Sequence, residues 1–274
     1  MEEKSGSTNL KQKALYYYSD SDDNGSDNNG SDAENTDNEE EDLILKNLLH
    51  KMNLGPKKKL LVLSPGVLCQ KIRTFDKNKP RNCTADARFG TILVFKRPYC
   101  DEFVKFCFER FEVGIWSSAI EKNLNNVLGC LLGELRSKVL FAWDQEECTD
   151  SGLKSLENNE KPLFFKELRK LWESKSPSLG QFSSSNTLMI DDKPYKCLLN
   201  PPNTGIFIDE YKAGLGNDDV LGENGELRVF LDGVAEADDV ASYVEENPFG
   251  QPAITSDHPD WGFYAKIVRR FGRK

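Results

Sequence analysis

Lys58-Lys59-Leu60-Leu61-Val62-Leu63-Ser64-Pro65-Gly66-Val67-Leu68 decides the fold of this 274-residue chain. Four consecutive apolar residues without polar alternation describe a strand covered on both faces, as a parallel sheet flanked by helices requires. Ser64-Pro65-Gly66 then ends the strand. In open parallel sheets, ligands and chemistry gather beyond the carboxyl ends of the strands, so the residues at 64–66 bear directly on function. A carboxylate there could attack a phosphoryl group or hold a metal. This strand ends in a hydroxyl, a proline and a glycine.

Downstream, strands and helices alternate. Pro98 opens a helical stripe of Phe103, Val104, Cys107, Phe108 and Phe111, with Asp101 and Glu102 in its first turn. Phe111 to Trp116 is a strand ending at Ser117-Ser118, followed by a helix over Ala119 to Leu132 and a strand over Val139 to Trp143. Residues 161–172 read as an approach segment and a helix that Lys166 opens. Thr187 to Ile190 is a strand ending at Asp191-Asp192-Lys193-Pro194, and Gly205 to Ile208 is one more. Residues 70–90 are polar and mixed, and read as a long excursion before Thr91 to Phe95. Residues 209–225, rich in Gly, Asn and Asp, read as a mobile loop near the sheet edge; order resumes at Leu227 to Leu231, and Val240 and Val244 mark a last helix. This order predicts an α/β fold of three layers, a central mainly parallel sheet with helices on both faces.

Charge divides the chain. Residues 20–42 hold eleven acids and no Lys or Arg, whereas the chain from position 43 onward holds 32 acids and 33 bases. The net charge of -9 therefore belongs to the beginning of the chain. The stretch Ser19 to Asp42 lacks the apolar side chains that would offset the entropy of ordering, which predicts a disordered, acidic and serine-rich arm over 1–42. It is either a solubilising tail or a regulatory arm phosphorylated at Ser19, Ser21, Ser26 or Ser31. Asp42 to Met52 reads as a short helix that Gly55-Pro56 stops. An α/β domain then spans 43–250, and 251–274 forms a basic amphipathic C-terminal segment. There Lys266, Arg269, Arg270, Arg273 and Lys274 oppose Phe263, Tyr264, Ile267, Val268 and Phe271. That segment either docks on the body or contacts an anionic partner.

Seven cysteines without a close CxxC pair, and only His50 and His258, do not make a structural zinc site. An odd cysteine count without a secretory signal predicts a reducing, intracellular setting, nucleus or cytoplasm ahead of mitochondria. No stretch approaches the roughly 20 apolar residues that span a bilayer.

Ser64, Ser117 with Ser118, and Asp191 with Asp192 all follow predicted parallel strands and so share one sheet edge, which Lys166 can reach. Two readings of these ends stand. In one, the two acids hold a divalent cation through hard oxygen ligands, and the hydroxyls and lysine hold phosphate oxygens. In the other, Asp191 and Asp192 simply cap a turn.

The chain resembles the phosphatase domain of the haloacid dehalogenase superfamily, in the branch of the carboxyl-terminal-domain phosphatases of RNA polymerase II and the NLI-interacting-factor-like phosphatases. The resemblance covers roughly Lys57 to Glu246. It rests on Leu60-Leu61-Val62-Leu63, Lys96-Arg97-Pro98 with Asp101-Glu102-Phe103, Phe111 to Ala119, Lys166-Glu167-Leu168, and Ile190-Asp191-Asp192-Lys193-Pro194, in that order and spacing. It implies phosphate binding by Ser117 and Lys166, and a magnesium ion held by Asp191 and Asp192. It also implies an aspartate nucleophile directly after the first strand and a general acid two residues later. Ser64 and Gly66 occupy those two positions, and the glycine stands one residue early, as if a position were deleted.

Neither neighbour of Ser64, Leu63 nor Pro65, can activate its hydroxyl as a base, and Gly66 has no proton to give. The loss of the first carboxylate also leaves magnesium weakly held. The expected function is a catalytically defective phosphatase-like domain that acts as a protein-binding or regulatory module. Its partner is a protein with or without phosphoserine or phosphothreonine, with no obligatory nucleic acid. The alternative is an active magnesium-dependent protein phosphatase whose missing carboxylate comes from Asp76 or Asp86.

Overall fold

The computed structural model describes residues 57–158 and 160–272. The acidic arm over 1–42 and the helix expected over Asp42 to Met52 lie outside the described residues. The chain forms β1 (Leu60–Leu63), α1 (Pro65–Leu68), β2 (Cys69–Arg73), β3 (Ala87–Phe89), β4 (Ile92–Lys96), α2 (Cys100–Arg110) and β5 (Glu112–Trp116). It continues through α3 (Glu121–Leu132), β6 (Phe141–Trp143), β7 (Thr149–Lys154), β8 (Pro162–Phe165), α4 (Arg169–Trp172) and β9 (Thr187–Asp191). It ends with β10 (Gly205–Phe207), α5 (Glu226–Glu236), α6 (Val240–Glu246) and α7 (Trp261–Phe271).

The five-stranded central sheet has the order β10-β9-β1-β5-β6, and every neighbouring pair in it is parallel. β1 lies in the middle, and all four of its residues are at most 1% exposed. Side chains alternate across the sheet with the period of two that a strand imposes. Leu61, Leu63, Val113, Ile115, Leu188 and Ile190 pack on one face against Phe103 and Val104 of α2, Leu124 and Leu128 of α3, and Leu227 and Leu231 of α5. Leu60, Val62, Trp116, Met189 and Phe207 pack on the other against Leu168, Leu171, Leu179 and Phe182. The result is the three-layer α/β architecture that the strand–helix order implied.

Three expectations need correction. Residues 70–90 are not a plain excursion: β2 and β3 flank β4 in a small antiparallel sheet. Lys71, Arg73 and Arg88 point to solvent along these strands, and their charge hides the period of the buried positions Cys69 and Ile72. Secondly, Lys166 does not open a helix. It follows β8, which pairs antiparallel with β7, and the helix is only Arg169–Trp172. Leu163, Phe165, Leu168 and Leu171 mix strand and helix spacing in one short stretch, and all four are fully buried. Thirdly, Asp191 is the last residue of β9 rather than the first residue after it.

The basic C-terminal segment docks on the body through α7. Tyr264 and Ile267 bury themselves with Leu163, Phe165 and Tyr195, while Lys266, Arg269 and Arg270 face solvent. Among the described residues, no helix is long and apolar enough to cross a membrane.

Candidate functional site

Parallel register brings the distant strand ends together. Leu63 lies level with Ile115 of β5 and Ile190 of β9, and the Ser64 amide extends the ladder by donating to the Ile190 carbonyl at 2.9 Å. The next residues of the three strands therefore reach one edge, beside the point where the strand order reverses around β1. There a cleft of about 480 Å³ is lined by Ser64, Gly66, Ser117, Ser118, Asp192 and Lys196, with Lys71, Arg73, Lys161 and Lys193 among its other lining residues. A larger depression of about 650 Å³ lies elsewhere, beside Asp86, Lys96 and Arg136. It is away from the strand ends, and the convergence of hydroxyls, acids and lysines belongs to the smaller cleft.

Ser64 is 4% exposed and opens α1 without capping it through its side chain. Gly66 lies within that short helix, against the Asp192 carboxylate. A Cβ at position 66 would stand 2.7 Å from Asp192 Cγ and 2.9 Å from its Oδ2, closer than real contacts allow. Ser117 is anchored by its amide to the Trp143 carbonyl at 2.8 Å, and its Oγ accepts from the Ala119 amide at 3.1 Å.

Lys166 and Asp191 lie behind this wall rather than on it. Both are essentially without solvent contact, and Lys166 Nζ donates to Asp191 Oδ2 at 2.5 Å. Asn200 fixes the backbone here, accepting from the Leu168 amide at 2.8 Å and donating to the Lys166 carbonyl at 2.9 Å. The second oxygen of Asp191 is engaged as well. Oδ1 accepts from the Lys193 amide at 3.0 Å and from Lys196 Nζ at 2.9 Å. Lys196 Nζ also reaches Asp192 Oδ1 at 3.4 Å.

Lys196 is the site residue that sequence reading missed. It lies in the tight turn Pro194–Cys197, which folds it back over the two acids that precede it. The one available signal was its spacing of five and four residues from Asp191 and Asp192.

Electrostatics follow from this sharing. Burial opposes the Asp191 anion, but the Lys166 and Lys196 ammoniums outweigh burial and hold its carboxyl well below the usual carboxylate range. Burial also opposes the Lys196 cation, yet Asp191 and Asp192 outweigh it and push its pKa well above that of an ordinary lysine. For Lys166 burial wins. Its pKa falls despite Asp191, with Lys196 adding to the fall.

Magnesium favours near-octahedral oxygen coordination, and carboxylates are its usual protein ligands. At the ends of β1, β5 and β9 the carboxylates are Asp191 and Asp192, with two ammoniums already against Asp191. Glu157 and Glu210 also line the cleft but are paired with Lys193 Nζ at 2.9 and 3.4 Å, and Ser64 and Gly66 add no carboxylate. Among the described residues, no three His, Cys, Asp or Glu side chains gather into a metal-holding group. The residues present do not fit the ion. Asp76 and Asp86 do not supply the missing acid: both are exposed, and neither lines the cleft. Asp76 accepts from the Asn78 amide and Asp86 from the Lys96 amide.

The chain is 27% identical over 168 residues to an FCP1 homology domain-containing protein of Schizosaccharomyces pombe, an alignment covering 55% of this chain and 68% of the relative. Two solved structures of fission yeast and essential RNA polymerase II CTD phosphatases, the former bound to beryllium fluoride, align with it. Their identities are 14% and 15% and their TM-scores 0.38 and 0.37, over 85% of this chain. This chain spans 65% of the length of each of those structures. The sequence model of the NLI interacting factor-like phosphatases matches residues 66–241. That stretch carries Ser117, Lys166, Asp191 and Asp192 and begins downstream of Ser64. The chain belongs to the family of NLI interacting factor-like phosphatases.

Proposed function

We propose that this domain is a catalytically defective member of its family that acts by binding a protein partner, one bearing phosphoserine or phosphothreonine, in the cleft at the carboxyl ends of β1, β5 and β9. One observation carries the reading. β1 leads into Ser64 and Gly66, neither of them an acid, in the cleft that Ser117, Ser118 and Lys196 also line, and the family resemblance expects a nucleophile and a general acid at those two positions. Nucleophilic attack by Ser64 would require a base to take its proton, and a general acid is worth roughly 10²–10⁴-fold in rate; Gly66 supplies none. The binding side has hydroxyl donors and a rim of Lys71, Arg73 and Lys161, and the two glutamates of that rim, Glu157 and Glu210, are paired with Lys193.

Seven unpaired cysteines support a reducing compartment, nucleus or cytoplasm. The solvent face of α7, with Lys266, Arg269 and Arg270, is a second surface for an acidic partner.

The test is turnover of an aryl phosphate and of a phosphoserine peptide in the presence of magnesium. The expected rate equals that of buffer, for the natural chain and for Asp191→Asn alike. Turnover that Asp191→Asn abolishes would establish an active magnesium-dependent phosphatase instead.

A further inference from the structure

Lys166, Asp191, Asp192 and Lys196 form a closed set of charges. Two carboxylates meet two ammoniums, so the cluster balances without any further ion. Lys196 Nζ spans the pair, 2.9 Å from Asp191 Oδ1 and 3.4 Å from Asp192 Oδ1, and so occupies the space between the two carboxylates that would hold a cation. Its position is built rather than incidental. The Lys196 amide donates to the Lys193 carbonyl at 3.1 Å, and its carbonyl accepts from the Lys166 amide at 2.8 Å. The backbone thus ties the two lysines to each other across Asp191. The two differ in access: the Lys166 side chain is 1% exposed and the Lys196 side chain 11%, and only Lys196 lines the cleft. An ammonium has three donors, and the two carboxylates engage two of them.

We propose that the Lys196 ammonium stands where a divalent cation would stand, excludes magnesium from Asp191 and Asp192, and lets the cleft hold a phosphate monoester without metal. The ligand in this proposal rests on the binding function proposed above. The exclusion of magnesium rests on the lysine geometry alone.

Thermal unfolding of the full chain separates the two parts. Millimolar magnesium chloride leaves the melting temperature of the natural protein unchanged beyond the effect of ionic strength, matched with sodium chloride. In Lys196→Ala, where the acid pair loses its bridging cation, magnesium raises the melting temperature. Lys196→Arg keeps the charge and stays insensitive. Stabilisation of the natural chain by magnesium, or a Lys196→Ala variant that folds and gains no response, overturns the exclusion. If Lys196→Ala does not fold, Lys196→Met, which keeps the bulk and loses the charge, takes its place. Magnesium binding to it and not to the natural chain, measured by titration calorimetry, supports the exclusion, and no binding to either overturns it.

A phosphoserine peptide then tests the ligand. Equal affinity in EDTA and in magnesium supports metal-free binding, and affinity that requires magnesium overturns it. A peptide that binds in neither condition counts against the phosphate-binding reading itself, and the magnesium arm still decides the role of Lys196.

Discussion

At position 66 the backbone lies so close to the Asp192 carboxylate that a side chain has no room. Gly66→Ala is therefore expected to destabilise the fold by about 1–3 kcal/mol, the usual cost of overpacking, and Asp192→Ala in the same chain should recover most of it. Denaturant melts of the four combinations measure this coupling; strictly additive effects would contradict the contact. The buried pair makes a second prediction. Removing one partner of a buried pair costs about 3–5 kcal/mol, so Lys166→Met should be severely destabilised. The pH dependence has a defined sign. The Asp191 pKa is lowered on folding, so its contribution is fully present above its unfolded value of about 3.9 and is lost as pH falls below it. Stability should drop on acidification below about pH 4, and Asp191→Asn, already less stable at neutral pH, should lack that part of the drop. That Ser64, Ser117 and Asp191 lie at neighbouring strand ends was legible in the sequence, because parallel strands put their ends on one edge. Lys196 was not, since its reach depends on the turn at Pro194–Cys197.

Among the elements, the strands buried on both faces were the clearest. Leu60–Leu63 is an uninterrupted apolar run and becomes the middle strand of the sheet. The helix α2 was equally plain, with Phe103, Val104 and Cys107 at helical spacing and all buried. β2 and β3 were not visible, because their outward positions carry Lys71, Arg73 and Arg88 and their runs are only five and three residues long. β8 was read as a helix approach because Leu163 and Phe165 lead directly into Leu168 and Leu171. The C-terminal element carries its own prediction. α7 is held by Tyr264 and Ile267 against Leu163, Phe165 and Tyr195, so Ile267→Asp should release it. Hydrogen exchange would then show lost protection over 261–271 with the central sheet little changed. Equal loss throughout would mean that α7 is integral to the cooperative fold.

For the molecule as a whole, the negative charge lies in the first 42 residues and the body is nearly neutral, so overall acidity says little about the cleft. The cysteines test the packing globally. Cys83 is exposed and Cys130 is half-buried, while Cys69, Cys100, Cys107, Cys148 and Cys197 are buried. Burial pushes the Cys69 thiol up to about 11 and those of Cys100 and Cys197 up to about 12. At pH 8 a thiol reagent should modify Cys83 quickly, Cys130 slowly and the other five only on unfolding; early labelling of Cys69 or Cys197 would contradict the packing around the cleft. The central claim is that the cleft binds a phosphorylated partner without turning it over. Phosphorus NMR of a phosphoserine peptide mixed with the full chain and magnesium tests both halves together. The account predicts a phosphoserine resonance that shifts on adding protein and persists without inorganic phosphate accumulating. Steady growth of the inorganic phosphate signal, lost in Asp191→Asn, would contradict it.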